Sequence, residues 1–470
     1  MWMTSAGWKR LMPIAVTVLF VGAGGGRPPL LDAARSGDTD ALRALLTQGA
    51  NVNASDGDGT TALHWASYRD DLDSAVLLMR AGANVNATND LGATPLWTAS
   101  QNGSSVMVKR LLEAGANPNM ALLAGETPLM VAARSGSTAV VEQLLAKGAD
   151  PNARGSRGQT ALMWAAAQQH PDVVKVLLAH RVDIQARSNR ESMVQAVTPH
   201  GYLPYNRDIP FGSETALLFA ARVGDVASAT LLVAAGANVN DADAWGISAV
   251  TLAAHSGFQE VVAFLLDKGA DPNAAGPGFT GLHEAVMRRD ERMVAALLTH
   301  GADANMPLTT WTPLRRSSRD WNFDPELVGA TPFWLAARYR EPGIMRLLLK
   351  HGADPRFVHH EEYVAPGRGA DAHEYETRKE TLTALMAATG MGGGTPWVEP
   401  EPGEIKALTL EAAQMLVDLG IDVNAATTDG STALDAAQSL KNDALVAFLV
   451  EKGAKPGERK GPARRRGRIE

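Results

Sequence analysis

The feature that most limits what this chain can become is a period. Glycine opens a short pentad at Gly49 (GANVN), Gly82 (GANVN), Gly115 (GANPN), Gly148 (GADPN), Gly236 (GANVN), Gly269 (GADPN), Gly301 (GADAN), Gly352 (GADPR), Gly420 (GIDVN) and Gly453 (GAKPG). Successive spacings are 33, 33, 33, 88, 33, 32, 51, 68 and 33 residues. The spacing of 88 hides one more unit, with Arg181 in the glycine slot of HRVDIQ. Self-similarity at this interval is the mark of a stacked repeat, in which each unit needs only its neighbours for a core. That also explains how 470 residues avoid the size limit of one compact core.

A second motif lies upstream of the pentads: TALHWAS at 61–67, TPLWTAS at 94–100, TPLMVAA at 127–133, TALMWAA at 160–166, TALLFAA at 215–221, SAVTLAA at 248–254, TGLHEAV at 280–286, TPFWLAA at 331–337, TALMAAT at 383–389 and TALDAAQ at 432–438. The pair of motifs resembles the ankyrin repeat family, whose signature reads T-P-L-H-x-A-A followed by G-A-D-x-N. The resemblance covers about residues 28–457, with His at the signature position only in His64 and His283.

The chemistry of one unit agrees. Thr61, Thr94 or Thr127 can cap a helix, and proline suits the first turn that follows. The Ala-Ala pair lets helices approach. In TAVVEQLLAKGA, 138–149, Val140, Val141, Leu144 and Leu145 recur at helical spacing. Gly148 then stops the helix in a left-handed conformation, and Asn or Asp favours the turn after it. The expected fold is therefore an all-α repeat, an ankyrin-type α-solenoid of about eleven helix-turn-helix units with extended hairpin loops. PPLLDAARSGD begins a first, capping unit and TALDAAQSLKNDALVAFLVEKGAK forms the last.

Insertions break the period near 187–212, 306–328, 356–380 and 390–408. In repeat arrays such insertions fall in loops, often on the binding face. They are rich in Tyr, Trp, Arg and His, the first three being the residue types that dominate interface hot spots. Tyr202, Tyr205, Arg207, Arg315, Arg316, Arg319, Trp321 and Tyr363 are the candidate partner-binding residues here. The competing reading is that each loop folds back and buries its own aromatics. Arg134, Arg222 and Arg338, following Ala-Ala, form a ladder that either meets an acidic partner or complements helix C-termini.

Other chemistry finds little footing. The charge of −7 argues against nucleic acid as the main partner, and the absence of cysteine excludes disulfides and thiolate metal sites. HHEE at 359–362, with His373, lacks the H-E-x-x-H spacing, so no metal is expected. GMGGG at 390–394 lacks a following G-K-[ST] and reads as a flexible connector; no cofactor motif is present.

MWMTSAGWKR, the apolar LMPIAVTVLFV and a small-residue exit read as a signal peptide over 1–26, too short to span a bilayer. KPGERKGPARRRGRIE has seven basic and two acidic residues, and its last stretch, 458–470, reads as a disordered basic tail. The resemblance implies a non-enzymatic scaffold, monomeric, binding a protein partner through its concave face and long fingers after export to the periplasm or outside. Two alternatives are a small-ligand or metal-binding protein built from the fingers, with His359, His360 or His373 converging, and an envelope-associated protein held by its tail.

Overall fold

The computed structural model describes residues 28–195, 206–312, 323–366, 375–394, 398 and 400–458. The expected signal peptide, the tail after Glu458 and His373 lie outside the described residues, as do Tyr202, Tyr205, Arg315, Arg316, Arg319 and Trp321. The described residues form eleven helix pairs in two compact units.

The first unit comprises Met1–Arg190 with Gly212–Asp243. It holds α1–α2 (Pro29–Ser36, Thr39–Thr47), α3–α4 (Ala62–Tyr68, Leu72–Arg80) and α5–α6 (Pro95–Gln101, Ser105–Glu113). After these come α7–α8 (Pro128–Ser135, Thr138–Ala146), α9–α10 (Ala161–Ala167, Pro171–Leu178) and α11–α12 (Ala216–Val223, Val226–Ala234). The second unit comprises Glu191–Phe211 with Ala244–Glu470. Its pairs are α13–α14 (Ala249–Ser256, Gln259–Asp267), α15–α16 (Gly281–Met287, Glu291–Thr299) and α17–α18 (Pro332–Arg338, Pro342–Lys350), then α19–α20 (Ala384–Ala388, Ile405–Asp418) and α21–α22 (Ala433–Ser439, Asp443–Glu451). Two hairpins add β1 (Arg190–Gln195) to β2 (Arg207–Gly212) and β3 (Val358–Pro366) to β4 (Tyr375–Thr383).

Helix starts follow the signature. Thr94, Thr127 and Thr160 accept from the amides of Trp97, Met130 and Met163. At His64, the third helical residue, the ring joins two units: Nδ1 accepts from the Thr61 amide at 3.1 Å, leaving Nε2–H to donate to the Ala93 carbonyl at 2.9 Å. First helices are buried nearly throughout, as in Leu129–Ala133. Second helices bury one stripe, such as Met107, Val108, Leu111 and Leu112 of α6. At the ends that stripe narrows to Leu42 in α2 and to Leu445 and Leu449 in α22, as capping units require.

The pentad does more than turn the chain. Its last asparagine reaches the next pentad: Asn119 donates to the Gly148 carbonyl at 2.9 Å and accepts from the Asp150 amide at 2.8 Å. Asn53, Asn86, Asn273 and Asn424 repeat both bonds one unit on. Arg181 adopts a φ of 57° in the glycine slot, and its carbonyl accepts from Asn152. The joint survives the first two insertions. Gln185 donates to the Gly236 carbonyl at 3.0 Å, and Asn305 grips Gly352 and Asp354, both bonds at 2.8 Å. The inserted residues therefore leave the repeat frame and return to it.

Removing one clamp should weaken the joint without emptying any core. Asn119→Ala is expected to lower unfolding free energy by about 1–2 kcal/mol, the net worth of two exposed hydrogen bonds. Asn119→Asp, which keeps only the acceptor, should cost less. Urea denaturation followed by circular dichroism measures this; an unchanged midpoint for Asn119→Ala would show that the carboxamide does not couple units.

Candidate functional site

The first two insertions are built from each other. β2 carries Arg207 over the Trp311 ring, 3.7 Å from its centroid, and the guanidinium donates to Thr310 Oγ1. This half-buried placement lowers the Arg207 pKa by desolvation. The second insertion is closed at its base where the Thr312 amide donates to the Phe323 carbonyl at 3.0 Å and Thr312 Oγ1 accepts from the Phe323 amide at 2.7 Å. Phe323 is wholly buried against Phe279, with ring centroids 5.1 Å apart. Trp245 meets Phe279 edge-on at 5.9 Å. The folded-back reading thus holds for Phe323, whereas Trp311 and Arg207 tie one insertion to the other.

The third insertion is an antiparallel hairpin with Val358 opposite Thr383 and Pro366 opposite Tyr375. Strand alternation sends neighbours to opposite faces. His359 and Glu361 are buried, whereas His360 and Glu362 are exposed. The two histidines therefore do not converge, which removes the geometry that a His359–His360 ligand site requires. His359 packs against Trp334 with centroids 4.4 Å apart and ring planes tilted by 50°, and its Nε2–H donates to the Glu326 carbonyl at 2.8 Å. Burial lowers its pKa. Among the described residues no group of three or more His, Asp or Glu side chains is placed to hold a metal ion.

Below the hairpin sits the glycine run, which is not a loose connector. Arg338 Nε donates to the Gly393 carbonyl at 3.1 Å, and its Nη2 donates to those of Gly392 and Gly394 at 3.2 and 3.0 Å. Glu361 Oε1 accepts from the Gly393 amide at 3.0 Å. A methyl group on Gly393 would lie 2.3 Å from Glu326 Cγ, so only glycine fits. Burial pushes the Glu361 carboxyl up to about 7, helped by the charges of Glu326 and Glu380 and opposed by the Gly393 bond and Arg338. Glu380 lies directly opposite Glu361 in the hairpin. Tyr363, opposite Arg378, is half-buried and its pKa is raised by desolvation.

The arginine ladder is engaged within the fold. Arg134 pairs with Glu126 and lies over Trp164, 5.3 Å from the ring. Arg222 pairs with Glu214. With Arg338 on the glycine run, all three have internal partners that the repeat pattern alone does not announce. Trp65 and Phe219, in the same slot as Trp164, are buried. Sequence reasoning passed over Glu284, which occupies that slot in TGLHEAV. It is fully buried, its Oε2 lies 3.1 Å from His255 Nδ1, and burial raises its pKa well above the usual range. An acid where the other signatures carry Trp, Thr, Val, Phe, Leu or Ala is the signal that marks it.

Family models describing three tandem ankyrin repeats match residues 14–89, 30–121, 68–155, 96–188 and 186–276; models of a single ankyrin repeat match 278–307 and 328–359. The chain is 29% identical over 260 residues to an ankyrin repeat and KH domain-containing protein of Caenorhabditis briggsae, covering 53% of this chain and 9% of that one. It is 40% identical over 89 residues to an ankyrin repeat-containing protein of Treponema pallidum, covering 18% of this chain and 30% of that one. The chain thus spans less than a third of the length of either relative.

Glu361 sets a pH dependence whose sign is fixed. Its folded pKa exceeds its unfolded value, so its contribution is full below about pH 4.5 and is lost as pH rises through about 7. Glu361→Gln should remove a decline of no more than about 3 kcal/mol across that window relative to the parent chain. Urea titrations at several pH values read the difference; parallel pH profiles for the two chains would contradict it.

Proposed function

The chain belongs to the ankyrin repeat family, and from that premise we propose that it is a non-catalytic scaffold which, after export, binds a protein partner through its long fingers and the inner helices beside them. Ankyrin repeats generally mediate protein–protein interaction, and no helix among the described residues is long and apolar enough to cross a membrane. The observation that carries the reading is the preserved joint under each of the first two insertions, Gln185 to Gly236 and Asn305 to Gly352. A frame that keeps a clamp across added chain fits loops added for binding.

The finger bases are fixed by Arg207 on Trp311 and by Thr312 with Phe323. Tyr202, Tyr205, Arg315, Arg316, Arg319 and Trp321 lie in the segments that these bases carry, and Tyr363 belongs to the third hairpin. These are the partner-binding residues proposed, with the aromatic and arginine side chains as anchors. Arg134, Arg222 and Arg338 serve as framework, since their charges already have partners. Export rests on the charged, apolar and small-residue order of residues 1–26.

The test is affinity capture from an envelope extract, with the chain from Arg27 beside a variant in which 196–205, 313–322 and 367–374 are replaced by short turns. A protein retained by the full chain and lost from the shortened one, then confirmed with purified components, is the expected result. Equal retention by both would move recognition off the fingers, and no retention by either would overturn the scaffold reading.

A further inference from the structure

The finger tips of the first unit make a row with a direction. Adjacent tips are joined by backbone hydrogen bonds: Asp90 amide to Asp58 carbonyl at 2.8 Å, Leu123 to Leu91 at 2.9 Å, Ser156 to Ala124 at 2.9 Å and Asn189 to Arg157 at 2.8 Å. The order of the tips in space is therefore their order in sequence, and their chemistry changes along it. The first tip carries Asp56 and Asp58, and the second begins with Asp90. Leu91 and Leu123 follow, 45% and 83% exposed. The next tip carries Arg154 and Arg157, both exposed. No Lys or Arg lies in SDGDGT at 55–60 or in TNDLGAT at 88–94, and no acid lies in ARGSRGQT at 153–160.

The central leucines have no role in the core. Leu122 packs against Ala93, Trp97 and Val131, which leaves its neighbour Leu123 facing outward. A single exposed leucine is ordinary, but two on adjoining, hydrogen-bonded tips form one apolar step between opposite charges. The row is also fixed in place. Gly92 has a φ of 81°, and a methyl group there would lie 3.0 Å from the Leu123 amide nitrogen; on Gly59 it would lie 3.1 Å from Asn89 Cα. Tips packed this closely present a surface formed before binding, so little ordering cost attends it.

We propose that this row docks an extended polypeptide segment of the protein partner, with basic residues against Asp56, Asp58 and Asp90, an apolar pair against Leu91 and Leu123, and acidic residues against Arg154 and Arg157. The proposal rests on the partner-binding reading above and assigns it a second, separate surface with a defined polarity. Opposite charges at the two ends fix the register of the segment, and the leucines supply the burial that holds it.

The probe is a fluorescent synthetic peptide with a basic block, two leucines and an acidic block, followed by anisotropy against the full chain. Composition-matched scrambled peptide is the control. Saturable binding is expected for the ordered peptide and not for the scrambled one, weakening as salt rises. Leu123→Asp should abolish it, and Asp90→Lys and Arg157→Glu should each weaken it about fivefold or more, roughly 1 kcal/mol. These side chains are exposed, so unchanged circular dichroism melts confirm that each variant folds. Equal binding of the scrambled peptide, no saturable binding, or indifference to Leu123→Asp would overturn the proposal. The chain with shortened 196–205, 313–322 and 367–374 separates the two readings: it should bind the peptide as the parent does. Loss on shortening without loss on Leu123→Asp would overturn the strip while leaving the fingers as the partner surface.

Discussion

The structure depends on one side-chain amide. Where a pentad ends in asparagine at 53, 86, 119, 152, 273, 305 or 424, the side chain donates to the carbonyl of the residue in the next glycine slot and accepts from an amide two residues further on, as Asn119 does to Gly148 and Asp150. Its carboxamide is the smallest group that offers a donor and an acceptor side by side. The glycine is its counterpart. At Gly148 the left-handed φ of 84° ends the helix, and the carbonyl then accepts from Asn119. GANVN thus encodes both halves of a joint, and the copy at 49–53 holds the copy at 82–86.

That joint explains why the frame accepts so much additional chain. Where the first insertion begins, Gln185 replaces asparagine and its longer side chain still reaches Gly236. Before the second, Asn305 keeps both bonds. After the third pentad of the second unit the slot holds Arg356 instead. There the extra chain has anchors of its own, with His359 on Trp334 and Arg338 on the glycine run. The described parts of the insertions are thereby seated on the repeat.

Much of the fold was legible because repetition averages out local ambiguity. The period, the Thr caps and the alternation of buried first helices with striped second helices all follow from residues that recur ten times or so. The candidate site was legible only in part. Asparagine read as a turn former, since the sequence does not show that its partner lies 29 residues ahead at Gly148. GMGGG read as flexible because glycine alone carries no information about Arg338 and Glu361, which hold it from 32 residues away or more. The hairpin over 358–383 hid behind polar letters; its inward His359 and Glu361 look like solvated residues until Trp334 and Gly393 are placed beside them. The internal partners of the arginine ladder were hidden for the same reason, since Glu126 and Glu214 lie outside the signature that made the arginines conspicuous.

The central claim is that the joint between successive repeats is kept across the first two insertions, by Gln185 and by Asn305, so that the repeat resumes beyond each of them. Amide hydrogen exchange tests it most directly, comparing the Asp150 amide at an ordinary joint with the Asp354 amide at the joint beyond the second insertion. Both amides are held by an asparagine oxygen at 2.8 Å. Comparable protection of the two, lost from Asp354 on Asn305→Ala, is the result the account predicts. Exchange of Asp354 at the rate of an unstructured amide, with Asp150 protected, would contradict it.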